Sequence, residues 1–161
     1  MTETKPLADS AKNYFRVSGV ISFCFLFVVS VVASVIFFLS SWTVPSVWFV
    51  LIWFVAILIL AVWMIGIYPA KKFEKTRWRF DEQGLFIYQG IWWKVQYAVP
   101  RSRVQHIDVT QGPIQRSFNI AQLILHTAGT INASVSLTGL SHEKAVEIRD
   151  ELLFQEKHDA V

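Results

Sequence analysis

Charge is what this chain most conspicuously lacks. From Val17 to Ala70, 54 consecutive residues include no Asp, Glu, Lys, Arg or His. A membrane-spanning helix needs about 20 predominantly apolar residues to cross roughly 30 Å of hydrocarbon, so the run is long enough for two crossings and a turn. Ser40, Ser41, Thr43, Pro45 and Ser46 break it in the middle, and Pro45 does not continue a helix. We read residues 17–39 as the first crossing and 47–67 as the second. A buried helical hairpin in a soluble protein is the competing reading, but about 90 residues follow the run, too few to cover it. A cleaved signal peptide has a shorter apolar part and is not followed by a second crossing.

Other absences narrow the chemistry. The one cysteine, Cys24, lies inside the first apolar run, which rules out a disulfide framework or a cysteine-built metal site. There is no G-x-G-x-x-G or Walker pattern to cradle phosphate. Neither crossing holds an ionisable group of the kind that ion conduction, proton relay and transport require, so the hairpin reads as an anchor. Ser18, Ser22, Ser30 and Ser34 form a ridge of small residues on the first helix, with Ala56, Ala61 and Gly66 available on the second to receive it.

Positive charge sets the expected orientation. Lys5, Lys12 and Arg16 precede the first crossing, Lys71, Lys72, Lys75, Arg77 and Arg79 follow the second, and the turn between them has none. The positive-inside bias then places both termini in the cytoplasm and the turn outside, with Trp42, Trp48 and Tyr68 at the interfaces. Residues 1–16 read as a cytoplasmic tail, mobile over 1–12, 17–70 as the hairpin and 71–158 as one small cytoplasmic domain.

Within that domain the period is that of strands. Residues 75–80 alternate, with Lys75, Arg77 and Arg79 on one face and Thr76, Trp78 and Phe80 on the other. Asp81-Glu82-Gln83-Gly84 turns into a second strand at 85–89, and further strands read at 92–99, 104–111, 121–127 and 132–138. Residues 114–120 are ambiguous between a short helix and an irregular strand. Ser141 then caps an amphipathic helix carrying Ala145, Ile148 and Leu152 on one face. The fold class is α+β: a two-helix transmembrane hairpin, then an antiparallel barrel or sandwich with a C-terminal helix packed on it. Its expected core is Trp78, Phe80, Leu85 or Phe86, Ile107, Val109, Leu123, Leu125, Leu137, Ile148 and Leu152.

Few residues look chemical. His106 and Asp108 share a strand face, and His126 comes from another strand; two histidines and a carboxylate can hold a metal, but nothing in the spacing fixes their geometry. Ser102, His106 and Asp108 spell a triad in letters only, since near neighbours on one strand do not present triad geometry and no nucleophile elbow occurs. We expect no catalytic residue, metal or cofactor. The basic residues say more. Residues 71–116 hold nine Lys or Arg against four acids, whereas 117–161 hold three against six. A basic surface beside a membrane points to anionic headgroups, at roughly 1 kcal/mol per Lys or Arg. The candidate contacts are Lys71, Lys72, Lys75, Arg77 and Arg79, with Arg101, Arg103 and Arg116 as secondary candidates. Membrane tethering and the acidic C-terminal helix argue against nucleic acid.

Four ordered blocks carry a resemblance: residues 99–109 (VPRSRVQHIDV), 111–116 (QGPIQR), 125–130 (LHTAGT) and 137–141 (LTGLS). Together they resemble the YdbS-like family of bacterial membrane-flanked pleckstrin-homology (PH) domains over roughly residues 75–153. Asn119 departs from the glycine expected in an R-x-F-G-like turn, a place where Asn accepts positive φ better than most residues. The resemblance implies a PH-like barrel of about seven strands closed by the C-terminal helix. It also implies assembly with another copy or with a larger relative bearing several such domains, and it brings no catalytic residues. Two functions follow as expectations: a non-catalytic membrane-anchored interaction module, and a domain that binds anionic lipid.

Overall fold

The computed structural model describes residues 4–41, 46–127 and 134–156. The chain divides into two compact units, Phe15–Ala70 and a second that joins Met1–Tyr14 to Lys71–Val161.

The first unit is built from two helices whose apolar side chains face outward, as lipid requires. Helix α1 runs Asp9–Ser41 and α2 runs Val47–Ala61, with Ser46 capping α2 by accepting from the Phe49 amide. Two helical stretches, Asp9–Ser40 and Val47–Lys75, are long and apolar enough to cross a membrane. Residues 42–45, including Trp42, Thr43 and Pro45, lie outside the described residues. After α2 the chain passes through a π-helical turn, Val62–Ile67, and then α3, Tyr68–Lys75. Pro69 has no amide hydrogen for the ladder, and the π turn absorbs the mismatch, with Tyr68 N donating to Trp63 O.

The two helices meet through Ser30 of the serine ridge and through residues the sequence did not suggest. Trp53 donates its indole N–H to Ser30 Oγ at 3.1 Å, which bears out part of the serine ridge. Gly66 faces open space, and the close approach is at Gly19 instead, where a Cβ would collide with the backbone carbonyl of Met64. Gly19→Leu should therefore separate the helices. With Cys24 replaced by Ser, thiol crosslinking between cysteines at positions 30 and 53 should fall to background.

The second unit is two antiparallel sheets and a helix. The first sheet has the order β1-β2-β3-β4, from Lys5–Pro6, Arg77–Asp81, Gly84–Gln89 and Val95–Pro100. The second is β5-β6-β7, from Val104–Thr110, Ile120–Thr127 and Ser134–Ser141. Between β5 and β6 the ambiguous stretch resolves into a short helix α4, Pro113–Ser117, followed by Asn119 at φ 51°. The departure from the family's glycine thus sits at a positive φ that Asn tolerates. Helix α5 covers His142–Glu156, and Ser141 Oγ accepts from the Lys144 amide as its cap.

The N-terminal residues are not a free tail. Lys5 pairs with Trp78 and Pro6 with Arg77, while the Trp78 indole donates to Pro6 O at 3.0 Å. The next amide but one, Ala8 N, donates to Gly139 O of β7 at 3.0 Å, so this segment bridges the two sheets. Leu7 and Ala11 are buried, and Gly139, at φ +103°, makes room for both. The expectation of a mobile tail fails because an edge strand two residues long and two apolar side chains leave no period in the sequence.

Most of the expected core is present. Trp78, Leu85, Ile107, Leu123, Leu125, Leu137, Ile148 and Leu152 are buried, together with Ile87, Val99, Ile120, Val135 and Leu140. Phe80, Phe86 and Val109 are half-buried. Arg101 lies over the Phe80 ring at 4.6 Å and Arg79 over Phe86 at 4.2 Å, and these guanidinium stems complete the cover of each aromatic ring.

Candidate functional site

The basic residues grouped by the sequence separate in the structure. Lys75 ends helix α3 and does not begin a strand, because Thr76 is buried and turns its N–H and hydroxyl back to Lys72 O. Lys71 and Lys75 are exposed, and Lys72 is half-buried. Arg77 opens β2 opposite Tyr88 and Pro6. These four charges therefore gather where the chain enters the domain from residue 71, beside Lys5, whose ammonium lies 5.7 Å from the Trp78 ring.

The remaining candidates are placed elsewhere. Arg79 shares the Arg77 face but is engaged by Asp81 Oδ2 at 2.9 Å as well as by Phe86. Arg101 acts inside the fold: Nε and Nη2 donate to Asp81 O at 3.0 and 2.8 Å, and Nη2 donates to Glu151 Oε1 at 3.1 Å. It ties the β2 end to α5 and is a structural latch. Arg103 is exposed in the 3₁₀ turn Arg101–Arg103, at the end of β4 away from Arg77. Arg116 is exposed on α4, ahead of the pairing of Ile120 with Ser141.

The strand register also brings the two histidines to one carboxylate. His106 pairs with His126, and their Nε2 atoms lie 2.9 and 3.2 Å from Asp108 Oδ1 and Oδ2. The His106 side chain is 71% exposed and Asp108 and His126 are half-buried, and the two Nε2 atoms lie against different oxygens of the one carboxylate. Among the described residues no group of three or more His, Cys, Asp or Glu is arranged to hold a metal.

The sequence reading also missed an aromatic loop. Trp92 and Trp93, expected in a strand, lie in the bend between β3 and β4 and are 74% and 85% exposed. Gly90, at φ +125°, turns so tightly that a Cβ there would meet the Trp93 carbonyl. Pairing resumes only at Val95 opposite Gln89. The dipeptide's strong β propensity masked a loop that Gly90 alone signalled.

A membrane-borne helix pair followed by two small antiparallel sheets and a closing helix is a specific combination. The family model described as Bacterial PH domain matches residues 20–155, most of the chain. The chain belongs to the bacterial PH domain family. It is 31% identical over 96 residues to the UPF0699 transmembrane protein YdbS of Bacillus subtilis (strain 168), an alignment covering 56% of this chain and 58% of that protein. The chain thus spans under two thirds of that relative's length. No solved structure matches it. As a bacterial PH domain protein with two apolar helices, the chain is a membrane protein.

Proposed function

We propose that the chain is a non-catalytic, two-span protein of the bacterial cytoplasmic membrane whose PH domain is held against anionic inner-leaflet headgroups. Both termini lie in the cytoplasm. The observation that carries this reading is the gathering of Lys71, Lys72, Lys75 and Arg77 at the end of the sheet where the chain arrives from residue 71. Lys5 lies at the same end. At roughly 1 kcal/mol per charge, such a cluster attracts anionic headgroups and weakens with salt. The orientation is supported by the flanking positive charges and by the pairing of β1 with β2, which requires residues before and after the helix pair to share a side.

The test uses the full chain in lipid nanodiscs with a fluorophore on Thr4→Cys in a Cys24→Ser background. Quenching by nitroxide headgroups should be stronger in anionic than in neutral lipid. It should fade at high salt and be lost in the triple variant Lys71→Gln, Lys75→Gln, Arg77→Gln. Equal quenching in every condition would remove the headgroup role. For orientation, a reporter at Val161 that works only outside the membrane should stay silent, and activity there would reverse the topology.

A second reading is favoured by the sheet edges. Among the described residues strand β4 pairs only with β3, and its Val95 and Ala98 are exposed, so its outer edge could receive another copy of the chain or a larger family member. Crosslinking in native membranes should then capture β4 residues, and recovery of uncrosslinked monomer alone would set this reading aside.

A further inference from the structure

We infer that the loop of residues 90–94 is an interfacial wedge: Trp92 and Trp93 enter the headgroup region of the bilayer to which the domain is tethered. The inference rests on the headgroup-docking reading and adds to it the surface that penetrates. Two neighbouring tryptophans, 74% and 85% exposed, are a large apolar area for a folded domain to leave in water. Indole is the side chain that favours the membrane interface, with an apolar body and one polar N–H. Lys94, also exposed, follows them and supplies the charge that anionic headgroups complement.

Register fixes where the loop lies within the domain. Arg77, the first residue of β2, pairs with Tyr88, and Gln89 pairs with Val95, so the loop begins two residues beyond the start of β2. Pro6 is also opposite Arg77, and the chain leaves from there toward α1. Both connections to the helix pair and the tryptophan loop therefore share one end of the sheet. The β2–β3 turn at Glu82 and Gln83 lies at the other end. The tight bend at Gly90 presents the indoles from a shaped loop, which limits the ordering cost of insertion.

The experiment places a fluorophore at position 93 (Trp93→Cys) or at position 82 (Glu82→Cys) of the full Cys24→Ser chain in nanodiscs of phosphatidylcholine with or without phosphatidylglycerol. At position 93 we expect blue-shifted emission, quenching by nitroxide lipid and protection from aqueous iodide, whereas position 82 should show the reverse. Trp92→Glu should shift the position-93 signal back toward water. Iodide access at position 93 in every lipid would overturn the wedge, and the position-4 probe then reports separately whether headgroup docking survives. Protection at position 93 without lipid quenching would also overturn it, because a protein surface would then be covering the loop. Lipid quenching at position 93 that is equal in neutral and anionic discs would keep the wedge and remove the charge-driven docking.

Discussion

Gly139→Val in the full chain should leave the apolar helices intact and loosen the folded domain by about 2–5 kcal/mol. Two effects add at this position. The backbone at φ +103° is one that side chains with a Cβ adopt only under strain, and a new Cβ would stand 3.1 Å from Leu7 Cδ1 and 3.2 Å from the Ala11 Cβ. The N-terminal segment would have to lift off β7, breaking the bond from Ala8 N to Gly139 O and uncovering Leu7. A small domain has only about 5–15 kcal/mol in total, so the melting temperature should fall by about 10 °C or more. The measurement is near-ultraviolet circular dichroism of the detergent-solubilised protein with temperature, alongside limited proteolysis before residue 9. An unchanged transition and an uncleaved N-terminus would show that the segment contributes nothing to the domain.

The second large effect is expected from helix α5. Ile148 is 1% exposed and, with buried Ala145 and Leu152, forms the face that closes the sheets. Ile148→Ala removes buried methyl groups and leaves a cavity, a change that costs about 2–5 kcal/mol. His106→Ala should cost little by comparison, because its imidazole is 71% exposed and its contact with Asp108 is a surface one. Denaturant titration of the two variants in the same detergent checks the contrast. A large loss for His106→Ala with little for Ile148→Ala would point to work for the His106–Asp108–His126 cluster beyond the surface contact seen here.

These expectations also show which features the letters carried. The helix pair was legible because 54 uncharged residues have few soluble solutions, and β5 to β7 because Ile107, Leu123, Leu125 and Leu137 recur at the period of a half-buried sheet. Asn119 was legible as a backbone position, since its φ follows from side-chain chemistry. The candidate site was only partly so. Alternation put Lys75, Arg77 and Arg79 on one strand face, but the helix runs on through Lys75, and Arg79 closes on Asp81 and Phe86. Arg101 looked like a free cation because the carbonyl of Asp81 and the carboxylate of Glu151 that hold it are 20 and 50 residues away. Trp92 and Trp93 carry the letters of a strand, because aromatic residues favour strands wherever a bend does not intervene.

The bridging segment also orders the events of synthesis. The Trp78 indole that bonds Pro6 O lies 72 residues away, and the segment's other support, Gly139, is made later still. Until β2 has been made Lys5–Pro6 has no strand to join, and Leu7 and Ala11 lack the cover of Gly139 until β7 follows. Closing so long a loop is a late and slow step. It also works only if the residues ahead of the helix pair and those after it come to rest in the same compartment. A chain whose first helix entered the bilayer the wrong way round would keep β2 with a bare edge and Gly139 with an empty neighbour. In the two-span arrangement proposed above, completion of the sheet would report on insertion, because a misinserted chain would carry an unfinished domain open to proteolysis.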